Sequence, residues 1–216
     1  MKIPLRFHSV PVFLAAFLLT VGALWAADKL VRYEAQPGSK IKIEGTSTIH
    51  DWTVETAIIG GFMELDAEFD ADLKTLKVKP KVEVTIPARS LKSGKKPMDT
   101  VMLEAMKSTQ FPKIEYRLLD MAAKDAPKTA AGGYAFTAKG ALTVCGVTRT
   151  NTMVVNLERI SKTQLKVTGT TAVKMTDFGI KPPAPEIALG LIKTGDDVKL
   201  TIEWVTAQPT GAPKAP

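Results

Sequence analysis

The chain runs to 216 residues, 45% of them hydrophobic and 24% charged, with a formal net charge of +7, 2 histidines and 1 cysteine. That length and apolar content suit a single domain with a sizeable core. The lone thiol, Cys145, excludes an internal disulfide, and no repeat of the solenoid type is visible. From the N-terminus, Lys2 and Arg6 precede an apolar run from Val10 to Trp25, and the small residues Ala26 and Ala27 follow, the layout of a secretory signal peptide over residues 1–27. Cutting after Ala26 or Ala27 leaves Leu24 or Trp25 at the third position back. An uncleaved anchor is therefore the alternative, although the run falls short of the ~20 residues of a spanning helix. Taking Lys2 and Arg6 from the 29 basic residues leaves 27 against 22 acidic ones, a balance of +5. These charges recur along strand-like segments, as at Lys77, Lys79, Lys81 and Glu83, which fits a solvated exterior and not a nucleic-acid surface. They also allow a mild pull toward anionic lipid head groups.

Leu30 to Ala35 reads as a short strand or lead-in, and Gln36-Pro37-Gly38-Ser39 as a turn. Lys40 to Ile59 reads as one strand bent at Gly45, with Gly60-Gly61 as a hairpin turn after it. Met63, Leu65, Ala67 and Phe69 then alternate with charged residues, and Val78 to Ile86 repeats the pattern with Val82, Val84 and Ile86 inward. The period changes from Pro97 to Ser108, where Met98, Met102, Ala105 and Met106 recur at helical spacing. Pro97 suits a first turn, Asp99 the positive end, and Phe111-Pro112 a stop. Ile114, Tyr116 and Leu118 mark the next strand, and Lys124 to Gly133 a polar loop. Phe136, Ala138, Gly140, Leu142 and Val144 share one side of a strand that reverses at Cys145-Gly146 into Val147 to Leu157, a β-hairpin. Leu165 to Met175 and Val198 to Trp204 complete the set, with a proline-rich loop between them and a disordered tail from Ala207 to Pro216.

This is an all-β pattern of about eight or nine antiparallel strands and one short helix, which closes into a barrel or, alternatively, stacks as a sandwich. The inner phase carries scarcely a charge, and its interior either packs on itself or accepts an apolar guest. Catalytic constellations are lacking. His50 is the sole histidine beyond the apolar leader, so no His-rich metal site can form, and no metal or cofactor is expected. His50-Asp51 with Ser47 or Ser90 lacks a nucleophile-elbow context, and no enzyme is expected. His50 and Trp52 read either as fixing the bent strand or as touching a ligand. Glu64, Asp66 and Glu68 fall on the wet face, Asp177 reads as a turn residue, and no phosphate-binding glycine loop occurs.

The segment GALTVCGVTR, residues 140–149, resembles the signature of the YceI-like polyisoprenoid-binding family, secreted bacterial lipid-binding proteins. Four further blocks agree in order: GTSTIHDWTV at 45–54, SLKSGKKPMDTVM at 90–102, FPKIEY at 111–116 and MTDFGIK at 175–181, spanning about Ser39 to Trp204. The better-known branch carries a basic-acidic pair and a histidine ahead of the helix, where this chain has Lys96-Pro97-Met98-Asp99 and keeps only Asp99. The resemblance implies a closed antiparallel lipocalin-like barrel of about eight strands, its one short helix a lid or plug. It implies that residues 28–206 hold an isoprenoid or other long-chain lipid without catalysis, in the periplasm or secreted, and the basic balance adds transient contact with a membrane surface. The residues so assigned to the lipid are Met63, Leu65, Phe69, Val84, Ile86, Met98, Met102, Tyr116, Phe136, Leu142, Phe178 and Trp204. The alternative is a structural or interaction barrel with a fully packed core.

Overall fold

The computed structural model describes residues 30–73, 79–124, 133–184 and 192–210, so the leader at 1–27 lies outside the described residues, as do Val78, most of the 124–133 loop and Pro185. Ten strands form one antiparallel sheet: β1 Leu30–Ala35, β2 Lys40–Ser47, β3 Trp52–Thr56, β4 Gly60–Asp66, β5 Lys81–Pro87, β6 Lys113–Ala123, β7 Tyr134–Val144, β8 Val147–Ser161, β9 Gln164–Lys174 and β10 Thr194–Ala207. β4 to β10 follow one another around the ring and β1 closes it, pairing β4 on one side and the end of β10 on the other, where Glu34 faces Ala207. β2 pairs the rest of β10, and β3 pairs β2. Because β1 and β2 both run antiparallel to β10, they are two segments of one stave. β3 and β4 form the returning stave in the same way, so ten strands make a closed barrel of eight. No sandwich forms.

The turn read at residues 36–39 is present, at Pro37-Gly38, and interrupts the first stave without reversing the chain. Gly38 takes φ +94, and the buried Ser39 hydroxyl donates to the Gln36 carbonyl (2.8 Å) and accepts from Val205 N–H (3.1 Å), stitching the break to β10. The sequence reading of Lys40 to Ile59 as one bent strand is corrected: the chain reverses at 48–51, so Gly45 faces Trp52 across a hairpin. Trp52 lies flat on Gly45, where a Cβ would stand 2.2 Å from its ring, and its indole N–H donates to the Thr46 carbonyl. A glycine chosen for a neighbouring ring thus imitated a bend. Gly60-Gly61 is likewise no hairpin turn. Both residues pair with β5, and Gly61 (φ +125) lies so close that a Cβ would meet the Glu83 carbonyl at 2.0 Å.

Alternation fails at Asp66 for a local reason. The Asp66 carboxylate accepts from Phe69 N–H (2.8 Å), with Glu68 and Asp70 in the first turn, and so caps a short helix, α1 Ala67–Ala71. Ala67 and Phe69 are therefore helical, not strand residues. The expected helix is α2 Lys96–Ala105, which starts one residue earlier and ends three residues earlier than read, because its end is set before Phe111-Pro112 is reached. Lys107 takes φ 49, its N–H bonds the Glu104 carbonyl and Ser108 N–H bonds the Leu103 carbonyl, the paired 5→2 and 6→1 closure of a Schellman end. Ala207, read as the first residue of a disordered tail, instead ends β10, and Gln208 donates to both Thr163 O and the Tyr33 hydroxyl, while residues 211–216 of that reading lie outside the described residues.

The barrel has two unlike ends. Around α1, Tyr33, Leu65, Phe69, Phe136, Leu157, Leu165 and Trp204 pack solidly, with Phe69 edge-on to Phe136 at 5.7 Å. α2 spans the other end, and no residue of it is fully buried. Outside, cross-strand pairs such as Arg32–Glu64 and Lys166–Glu203 line the wet face. Among the described residues no helix is long and apolar enough to cross a membrane.

Candidate functional site

Between the solid floor and α2 the barrel is hollow, with a cavity of about 540 Å³. The fully packed interior entertained from the sequence is thereby set aside. Period-two alternation builds the wall: Val82, Val84 and Ile86 from β5, Ile114, Tyr116 and Leu118 from β6, Phe136, Ala138, Leu142 and Val144 from β7, and Val198 to Trp204 at every second position from β10. A β-bulge between Leu118 and Asp120 shifts the phase of β6, so that Met121, not Asp120, faces inward. From above, α2 contributes Pro97, Met98, Val101, Met102, Ala105 and Met106, and the 175–183 segment adds Phe178 and Ile180.

Of the twelve residues assigned to the lipid from sequence, the structure brings ten to this wall: Met63, Val84, Ile86, Met98, Met102, Tyr116, Phe136, Leu142, Phe178 and Trp204. Leu65 and Phe69 do not reach it. Both are fully buried in the floor, because the α1 turn swings Phe69 under the barrel against Phe136. The sequence reading passed over the β8 face, Asn151, Met153, Val155 and Leu157, which also lines the cavity. Its alternation was legible, but two polar residues, Asn151 and the β9 neighbour Thr171, masked it: the Asn151 amide donates to the Thr171 hydroxyl at 3.1 Å.

Charge is confined to the rim. Among the described residues, Lys95 is the one cation on the lining, at the entry to α2, and His50 stands exposed in the 48–51 turn. Ser47 donates to the His50 carbonyl and the imidazole Nδ1 faces the Asp51 carbonyl, while Ser90 donates to the Pro87 carbonyl, so neither serine pairs with the ring. His50 and Trp52 both line the opening of the cavity, and their hydrogen bonds hold the turn between β2 and β3. Asp177 sits exposed in the turn that carries Phe178 inward. Burial pushes the Tyr116 phenol up to about 12, so it stays neutral on the wall. Burial also raises the Cys145 thiol, which donates to the Met106 carbonyl (3.0 Å) and ties the β7–β8 turn to the end of α2. Among the described residues no cluster of three His, Cys, Asp or Glu side chains forms.

The barrel has known counterparts. BcnA of Burkholderia cenocepacia is 14% identical with a TM-score of 0.61, covering 77% of this chain and 95% of that one. A polyisoprenoid binding domain from Saccharophagus degradans, implicated in plant cell wall breakdown, is 13% identical with a TM-score of 0.62, covering 84% and 100%. The YceI protein of Campylobacter jejuni is 18% identical with a TM-score of 0.53, covering 73% and 84%. At such identities the likeness carries the fold. Among curated protein sequences none matches. The YceI-like domain, in contrast, matches residues 33–206, from the closing stave to the last strand, and the chain belongs to that family.

Proposed function

We propose that this chain is an exported binding protein that shelters a polyisoprenoid or similar long-chain amphiphile within the barrel and performs no chemistry on it. The observation that carries the reading is the hollow, apolar interior of about 540 Å³, within the range of ligand-holding pockets. At the ~30 Å³ that each water-sized group takes in a liquid, it holds roughly 18 such groups, the length of a long acyl chain or a few isoprene units. Each methylene moved from water into that interior contributes about 0.8 kcal/mol, enough over ten or more carbons to offset the several kcal/mol that binding costs. The adaptable thioethers of Met98, Met102 and Met106 suit α2 to cover guests of irregular shape. The relative from Saccharophagus degradans, by its description a polyisoprenoid binding domain, supports the same class of ligand. Export rests on the leader read at residues 1–27. Organic extraction of protein purified without detergent, followed by mass spectrometry, tests the reading. A long-chain lipid recovered near one per protein is expected; protein that is repeatedly empty and refuses isoprenoid and acyl lipids contradicts it.

A further inference from the structure

Ile49 is the most exposed large apolar side chain among the described residues, at 62%. One exposed isoleucine is ordinary. Its position is not: Ile49 stands in the reversal at 48–51 between β2 and β3, and it lines the opening of the hollow with Trp52, Pro97, Pro183 and Ile192. Cations flank that reversal on both sides. On one, Thr48 N–H donates to the Lys193 carbonyl (3.0 Å) and Lys193 N–H to the Thr48 hydroxyl (3.2 Å), which holds Lys193 against the residue before Ile49. On the other, Lys92 bridges Glu55 antiparallel to β3, so the chain beyond it runs back toward the reversal and brings Lys95 to the opening, with Lys96 starting α2. All three lysines are exposed, and among the described residues no carboxylate forms an ion pair with Lys95, Lys96 or Lys193. Several acidic groups of this end are engaged elsewhere: Asp99 accepts from Ser93, Asp196 accepts from Thr176 and Asp197 pairs Lys174. Asp51 and Asp177 are exposed, and Asp177 shares its segment with the exposed Lys181.

We infer that the open end of the barrel docks on an anionic membrane surface, with Ile49 inserted and Lys95, Lys96 and Lys193 on the head groups. An apolar tip between unpaired cations matches such a surface on two counts, since the isoleucine enters the acyl boundary while the ammonium groups stay level with the phosphates. A nucleic acid would meet the charges and leave the isoleucine in water. The inference rests on the carrier reading above and names where the carrier loads and unloads. A long tail that crosses water exposes every methylene that bilayer and barrel bury, and an opening held against the bilayer removes that exposure. Ile58 is almost as exposed, at 60%, but lies in the joint between β3 and β4 and lines no part of the opening, so it serves as the comparison.

Flotation of the protein in its exported form tests the assignment, with vesicles of phosphatidylglycerol and phosphatidylcholine in equal parts against vesicles of phosphatidylcholine alone. Wild-type protein is expected to bind the anionic vesicles at least about tenfold more tightly, and salt should weaken that binding. Lys96→Gln combined with Lys193→Gln should weaken it by roughly twentyfold, about fivefold for each charge near the surface. Ile49→Ser should weaken it by about fivefold, and Ile58→Ser should leave it unchanged. Transfer of geranylgeraniol to anionic acceptor vesicles should quicken with vesicle concentration and slow in the double lysine variant, whose lipid content stays that of wild type because neither residue lines the hollow. Equal binding to both kinds of vesicle, no loss in the lysine variant, or equal loss in Ile58→Ser overturns the docking face, and lipid recovered from the protein then still upholds the carrier reading. Self-association that Ile49→Ser abolishes, with no vesicle binding by wild type, assigns the reversal to a second copy and overturns the inference as well. Protein that floats as expected yet neither contains nor accepts lipid overturns the carrier reading alone.

Discussion

Gly140 and Tyr116 show how one missing Cβ shapes the interior. Any larger residue at 140 would strike the phenol ring and drive it into the hollow, so this glycine sets the width of the cavity at its middle. Burial has opposite consequences a few residues away. Phe69 is wholly enclosed and edge-on to Phe136, outside the hollow. Phe69→Ala should cost about 3–5 kcal/mol in a denaturant titration and leave lipid stoichiometry unchanged, whereas Leu142→Ala, which enlarges space already present, should cost about 2 kcal/mol or less. Burial also keeps two tyrosines neutral. Desolvation, with a hydrogen bond to Asp70, raises the Tyr33 phenol, and desolvation raises Tyr116 to about 12. Folded-state values above the ordinary 10 contribute stability in full below pH 10, and that contribution is lost as pH rises toward 12. Melting temperature should therefore fall across this window, and less steeply in Tyr116→Phe.

The element that governs access is α2 with the segment leading into it. Lys92 exchanges both backbone hydrogen bonds with Glu55 of β3. Asp99, in the first turn of the helix, accepts from the Ser93 hydroxyl and Ser93 N–H, each at 2.7 Å. Those bonds, the side-chain one first, hold its carboxyl below the ordinary carboxylate range. The clamp is present above about pH 4 and is lost as pH falls through that depressed value. Asp99→Ala should speed lipid release in stopped-flow transfer to acceptor vesicles, with little change in melting temperature. Cys145 clasps the far end, in a two-residue turn where both Cys145 (φ 52) and Gly146 (φ 74) are left-handed, the geometry of a tight hairpin. The turn was legible from its glycine and the helix from its methionines. α1 was not, because one capping carboxylate at Asp66 outweighed four residues of faultless alternation.

Closure of the barrel depends on contacts far apart in sequence, and these were the least legible. Arg159 of β8 donates to the Asp70 carboxylate (2.8 Å) and to the Tyr33 hydroxyl (3.2 Å), and Tyr33 donates to Asp70 (2.6 Å), tying α1, β1 and β8 together under the floor. No local period announces such a joint. The staves themselves were legible wherever an uncharged face alternated with a wet one: Val84, Ile86, Leu142 and Trp204 line the hollow as read, whereas Leu65, read as lining with them, lies buried in the floor beside a capped turn. Whether a lipid occupies this hollow is read from intermolecular NOEs between unlabelled geranylgeraniol and methyl-labelled protein. Cross-peaks to Met63, Leu142 and Leu200, with none to Leu65, are predicted; cross-peaks confined to outward methyls such as Ile58 and Val154, or none at all, would contradict a guest inside the barrel.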